Sequence, residues 1–230
     1  MTMILDIGNT NVDFLYNNNI FSINTIEFCA DISVFFTKYS VEMVVFVSVV
    51  PELSLKVKEE ARKNNIICRE VDIGDIPMEI QIDNIEELGI DRVINAYCAM
   101  CKFQQNLVVV DFGTALTFDI IYNKAYVGGM IFPGLTMAMH NLHTKTAKLP
   151  DVKIEKFRVG IGKNTVDAIS FGVCVGYCGV LKETLSYIEG FYNKQFKVIF
   201  TGGSGKLFNN FIDGAIFEES LILDFLKGLK

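Results

Sequence analysis

Met3-Ile-Leu-Asp-Ile-Gly-Asn-Thr-Asn-Val-Asp-Phe14 and Val108-Val-Val-Asp-Phe-Gly-Thr-Ala-Leu-Thr-Phe-Asp119 share one pattern. Each is an apolar run ending in Asp, then a turn built on Gly and Thr, then an apolar return. Asp6 matches Asp111 and Gly8 matches Gly113, an offset of 105 residues in a chain of 230. A repeat that keeps both residue chemistry and strand–turn–strand context reads as two related domains. The boundary falls near Gln104–Leu107, giving 1–105 and 106–230, and no low-complexity linker marks it.

Outward from these hairpins the chain alternates strand and helix. In the first half, Asn17–Asn19 turns into Ile20–Ile23, completing an antiparallel meander. Asp31–Tyr39 reads as helix, Met43–Val49 as a buried strand, Pro51 to about Asn64 as helix and Ile66–Val71 as strand. In the second half, Leu116–Tyr122 and Ala125–Val127 continue the meander through an Asn123-Lys124 turn. Gly128–Gly134 reads as a loop, followed by helix to about His143, one or two helices over Thr165–Tyr187, a strand at Lys197–Phe200 and a helix at Ser220–Leu226. This is the order of an α/β protein.

The hairpins suit phosphate chemistry. Glycine lets a backbone turn tightly and approach a ligand, the exposed N–H groups and the Thr hydroxyl can face phosphate oxygens, and Asp offers a hard oxygen to Mg²⁺ or a monovalent cation. Two ordinary hairpins would use the same turn residues, but the matched pair favours a triphosphate held from two sides. Gly89-Ile90-Asp91-Arg92 precedes a helical run. Asp91 beside Arg92 reads equally as a surface ion pair or as a proton acceptor next to an anion-gripping guanidinium. Thr201-Gly-Gly-Ser-Gly-Lys206 fails as a Walker A motif, because the first Gly is missing and Leu207 follows the Lys. It reads as a turn on which a base or ribose can rest, with a plain turn as the alternative.

Composition excludes several classes. Half the residues are hydrophobic and the net charge is −6, so a sizeable core is expected and a nucleic-acid partner is not. The apolar runs Met43–Val50 and Phe171–Leu181 fall short of the roughly 18–20 residues a bilayer needs. The opening MTMILDIGNT lacks the basic start and long apolar core of a signal peptide, so a cytoplasmic location is expected. Cys98-x-x-Cys101 has no second CxxC, and Cys174 and Cys178 lie one helical turn apart; both pairs are expected to be reduced and packed in the core. His140 and His143 have no further ligand cluster beside them and are expected to be non-catalytic.

The ordered set of motifs resembles the type III pantothenate kinases, within the superfamily of acetate and sugar kinases, heat-shock-70 proteins and actin. The resemblance rests on Asp6-x-Gly-Asn-Thr10, Gly89-x-Asp91-Arg92, Asp111-x-Gly-Thr-Ala115 with Thr117 and Asp119, Gly128-Gly-x-Ile-x-Pro-Gly134, Thr146-Ala-x-Leu-Pro150, Gly162-x-x-Thr165 and Thr201-Gly-Gly203. It implies two tandem ribonuclease-H-like (actin-like ATPase) domains, each a mixed sheet flanked by helices, with ATP between them. It implies ATP-dependent phosphorylation of pantothenate, the first step towards coenzyme A. By the resemblance Asp6, Gly8, Asn9, Thr10, Asn11 and Asp13 form the first phosphate hairpin, with Asp6 associated with Mg²⁺. Thr114, Gly202 and Gly203 also contact ATP, and Asp111 holds K⁺ or NH₄⁺. Asp91 is the general base, Gly89, Ile90, Asp91 and Arg92 border pantothenate, and Thr165 touches it. A homodimer is implied, with no nucleic-acid or membrane partner. Three positions depart from the family pattern: Ile82 replaces a substrate-contacting Tyr, Asn84-Ile85 replaces Asn-Pro, and Asp13 stands where Lys or Arg is frequent. Two other readings compete: a kinase of the same fold for another hydroxyl substrate, and a nucleotide-binding regulator without catalysis.

Overall fold

Three strands, β1 (Thr2–Ile7), β2 (Asn11–Tyr16) and β3 (Asn19–Asn24), form the first meander. Asn17 and Asn18 both take positive φ, 49° and 61°, the two-residue turn whose twist matches a hairpin. The chain then forms α1 (Thr25–Ala30) and α2 (Ile32–Lys38), capped by Asn24 and Asp31. It returns as β4 (Met43–Ser48) parallel to β1, runs through α3 (Pro51–Lys63) and adds β5 (Ile67–Glu70) parallel to β4. The sheet order is β3-β2-β1-β4-β5. Met3, Leu5, Phe46, Phe28, Phe36, Leu53 and Val57, all at most 2 % exposed, close its core. Only α2 was expected between β3 and β4; α1 is too short to show a helical period and is set by its Asn24 cap.

The second sheet repeats this plan. Strands β7 (Leu107–Phe112), β8 (Ala115–Tyr122) and β9 (Ala125–Pro133) form the meander, with Asn123 and Lys124 at φ 50° and 66° in the equivalent turn. After α5 (Leu135–Thr144) and α6 (Thr165–Tyr192) the chain enters β10 (Lys197–Thr201) parallel to β7, then β11 (Ile216–Phe217) parallel to β10. The order is β11-β10-β7-β8-β9-β6, where β6 (Glu79–Ile80) pairs with β9. Setting β6 aside, the two orders are the same path through a mixed sheet, so the internal repeat is structural as well as sequential. Phe112, Phe118, Phe200, Phe208, Leu181 and Ile188 form the core beneath α5 and α6.

The expected loop at Gly128–Gly134 is corrected: those residues belong to β9, up to Pro133. Gly128 sits at φ 120° where the β8–β9 register shifts, a bulge that glycine permits. Among the described residues no strand pairs with the outer edge of β9 beyond Tyr126, so Pro133 forfeits no ladder bond there. Helix α6 is one continuous helix of 28 residues. By length and composition alone it is long and apolar enough to cross a membrane, yet Cys178, Leu181, Leu185 and Ile188 pack it onto the second sheet's core.

The structure, a computed structural model, describes residues 1–229, which divide into two compact units. Neither unit is a single stretch of chain. The first comprises Met1–Met78, Asp83–Cys98 and the residues from Ser220 onward; the second comprises Glu79–Ile82 and Ala99–Glu219. Helix α4 (Ile90–Phe103) begins in the first, and α7 (Leu221–Gly228) returns to it against β1.

Candidate active site

In the first unit, Gly8 N–H donates to Asn11 O at 2.9 Å, Thr25 N–H donates to Thr10 O at 2.9 Å, and Thr25 Oγ1 donates to Gly8 O at 2.8 Å. These bonds fix the β1–β2 turn from behind, leaving Asn9, Thr10 and Asn11 exposed at its tip. Asp6 and Asp13 are direct cross-strand partners and both are half-buried. Like charges so placed repel, which a cation or a magnesium-bound phosphate would relieve.

In the second unit, the β7–β8 turn is braced by two glycines. Gly202 has φ 83°, and a Cβ there would land on Asp111 Oδ1 and lie 2.7 Å from Phe112 N. Only glycine therefore lets the end of β10 lie against the Asp111 carboxylate. Gly134 N–H donates to Thr114 O at 3.2 Å, and a Cβ there would overlap the Thr114 carbonyl. Asp111 is half-buried, while Thr114 and Gly203 are exposed. Lys206, the residue that invites a Walker reading, instead pairs with Glu219 at 2.5 Å and lies over the Phe217 ring.

Gly89 to Arg92 form the entry to α4. Asp91 Oδ1 accepts from Arg92 N–H at 2.9 Å, and Gly89 has no room for a Cβ because Asp91 Oδ1 occupies that place. Burial pushes the Asp91 carboxyl above the ordinary carboxylate range, and the Arg92 backbone bond and charge pull it part of the way back. Asp91 is thus a carboxylate held in one orientation and made more basic than usual.

Thr165 is the first residue of α6, behind an Asn164 cap whose Oδ1 accepts from Asp167 N–H at 2.9 Å. It lines a shallow cleft, wide open to solvent, of about 550 Å³ with Leu149, Gly162, Lys163, Asn164, Ala168 and Ile169. A Cβ on Gly162 would collide with Ala168 N, so glycine permits the loop to close over the helix start. Leu149, Gly162 and Gly134 lay inside recognised motifs but had no expected role; only the close backbone approaches reveal one. Ile82, where a family Tyr was expected, is half-buried just after β6.

His140 and His143 are exposed, and His143 Nδ1 lies 2.7 Å from Leu149 O, holding the loop after α5. All six cysteines are free: Cys174 and Cys178 are buried as expected, but Cys101 is exposed and Cys98 only half-buried, correcting their placement in the core. Helix α4 turns its Cys101 side outward. Among the described residues no group of three or more His, Cys, Asp or Glu could hold a metal. A divalent ion would therefore take most of its ligands from phosphate and water, as Mg²⁺ commonly does.

Two duplicated mixed sheets, each with an Asp-x-Gly hairpin at its central strand, give the chain the fold of two tandem ribonuclease-H-like, actin-like ATPase domains. A protein from Campylobacter jejuni assigned to the Baf family of transcriptional activators aligns with 99% of this chain and 96% of its own, with 26% identity and a TM-score of 0.61. A Sinorhizobium meliloti protein assigned as a 2-dehydro-3-deoxygalactonokinase shares the fold at a TM-score of 0.56 and 10% identity, covering 99% of this chain and 95% of that one. The family model for type III pantothenate kinase matches residues 2–186. Type III pantothenate kinases from Sulfurihydrogenibium sp. and Persephonella marina are 34% and 35% identical, over 96% and 97% of this chain and 96% of each relative. The chain belongs to the type III pantothenate kinase family.

Proposed function

We propose that this chain transfers the γ-phosphoryl group of ATP to the primary hydroxyl of pantothenate, giving 4′-phosphopantothenate and ADP for coenzyme A synthesis. The observation that carries the mechanism is Asp91, a carboxylate raised in basicity by burial and fixed at the start of α4. The hydroxyl oxygen attacks the γ-phosphorus, the bond to the β–γ bridging oxygen breaks, ADP leaves, and the hydroxyl proton passes to Asp91. Such transition states are loose, so positioning and charge stabilisation supply most of the rate.

The residues of the two hairpins have distinct tasks. Asn9, Thr10 and Asn11 present the first turn to phosphate oxygens, with Gly8 and Asp13 shaping and flanking it, and Thr114 presents the second. Gly202 and Gly203 give the nucleotide a surface of bare backbone. Arg92, Gly89 and Ile90 border pantothenate, and Thr165 contacts it from its cleft. Asp6, facing Asp13, suits a magnesium-bound phosphate. Asp111, cradled where a Gly202 Cβ would otherwise sit, suits K⁺ or NH₄⁺. These cations, when bound, neutralise charge on the triphosphate.

The family's homodimer would cover the outer face of α6, where Val175 and Phe191 are 54% and 71% exposed and Gly172, Gly176 and Gly179 leave open space. The acidic chain and its small-molecule substrates fit the cytoplasm, without nucleic-acid or membrane partners. The likeness to a Campylobacter jejuni protein assigned as a transcriptional activator favours one second reading, a nucleotide-binding regulator. One assay separates the two. ADP release from ATP, Mg²⁺ and K⁺ is expected to depend on pantothenate; folded protein that binds ATP yet releases no ADP with pantothenate supports the regulator.

A further inference from the structure

Asp119 is a buried carboxylate that the proposed reaction does not use. It is 0 % exposed; Tyr126 Oη donates to its Oδ1 at 2.7 Å and Thr117 Oγ1 donates to its Oδ2 at 3.0 Å. Along β8, Leu116, Phe118 and Ile120 belong to the core beneath α5 and α6, so Thr117 and Asp119 alternate to the opposite face. The register pairs Thr117 directly with Asp111, and direct partners share a face with Cβ atoms about 5 Å apart. Asp111, Thr117, Asp119 and Tyr126 therefore follow one another on one side of the sheet.

The direction of these bonds matters. Thr117 gives its single hydroxyl hydrogen to Asp119 Oδ2. What the Thr117 oxygen then offers towards Asp111 is lone pairs alone. A half-buried hydroxyl that could otherwise rotate and act either way is held as an acceptor.

We propose that Asp119 is a positioning residue that fixes the Thr117 oxygen as an acceptor beside Asp111, so that Thr117 and Asp111 together form this unit's share of a monovalent-cation site. The inference rests on the reading of Asp111 as the cation carboxylate. Oxygen donors of this kind suit a hard cation, and a group that orients a ligand typically changes affinity about tenfold to hundredfold when removed.

The test measures the K⁺ half-saturation of ADP release and, separately, the rise in melting temperature on adding KCl in place of choline chloride, without substrates. Thr117→Val removes the acceptor at nearly constant shape. Asp119→Asn leaves a single acceptor oxygen between Tyr126 and Thr117, so the Thr117 hydroxyl hydrogen is no longer held by a carboxylate. Both variants are expected to raise the K⁺ half-saturation by about tenfold or more and to shrink the K⁺-induced melting shift, whereas Thr117→Ser restores both. Lower melting temperatures with unchanged K⁺ half-saturation and an unchanged K⁺ shift overturn the proposal and leave Asp119 a structural group. Should Asp119→Asn fail to fold, Thr117→Val decides alone. A wild-type protein indifferent to K⁺ in both measurements overturns the cation reading of Asp111 itself. A K⁺ response lost in Asp111→Asn but intact in Thr117→Val overturns only the role given to Thr117 and Asp119.

Discussion

Asp91 occupies the first turn of α4, where the Arg92 N–H fixes its orientation while burial raises its proton affinity. Replacing it with Asn keeps shape and an acceptor oxygen but removes basicity. Asp91→Asn is expected to cut kcat by about 10²–10⁴ with little change in ATP binding; full turnover would remove Asp91 from the role of base. Stability should move the other way. Because the folded-state pKa is raised, the stabilisation from protonating Asp91 is complete below the unfolded carboxylate range and is lost as pH rises through the folded pKa. At pH 7 wild type carries a buried charge that the Asn variant lacks. Asp91→Asn should thus melt at or above wild type near neutrality, with the difference closing in acid. The acidic limb of the kcat profile should likewise lie above the ordinary Asp value of about 3.9. The cysteines offer a second residue-scale check. Burial, with Cys174 nearby, pushes the Cys178 thiol up to about 11, whereas Cys101 is exposed. Iodoacetamide at pH 8 should label Cys101 within the native protein and Cys178 only after unfolding, read by peptide mass.

At the scale of elements, the hairpins work because their turns are braced from outside the local sequence. Thr25 ties down the first, and Gly134 and Gly202 press against the second. Helix α7 shows the same dependence on distant chain. Its Leu221, Leu223 and Leu226 are 5 %, 5 % and 0 % exposed, and it packs on β1, more than two hundred positions earlier in the chain. Leu226→Ala is expected to lower unfolding stability by about 2–5 kcal/mol, measured by urea denaturation, and a loss below 1 kcal/mol would show that α7 adds little to the first unit. The elements themselves were mostly legible: long apolar strands, the Pro51 start of α3 and the Asn-based hairpin turns all announce themselves. What escaped were α1, a six-residue helix, and the length of β9, whose glycines and Pro133 read as loop because strand pairing is invisible in one segment.

For the whole molecule, the duplication is the organising fact, and the chain crosses between units more than once to complete them. The open face of α6 carries the assembly prediction. Light scattering behind size exclusion should give twice the 25.8 kDa chain mass, and Gly176→Glu, which sets a charge on that face, should give the monomer mass at the same concentration. A wild-type monomer would remove the dimer.

The sequence by itself determined the repeated strand–turn–strand units and the family, because these depend on residue types at short, fixed spacings. Only the tertiary structure decided which glycines are indispensable, since the atoms that would strike a Cβ on Gly134 or Gly202 come from Thr114 in the β7–β8 turn and from Asp111 and Phe112 in β7, distant in the chain. It also decided that Asp91 is more basic than an ordinary aspartate, because burial is a property of neighbours. For the same reason it alone placed Asp119 in a row with Thr117 and Asp111, where hydrogen-bond direction gives a buried carboxylate a task.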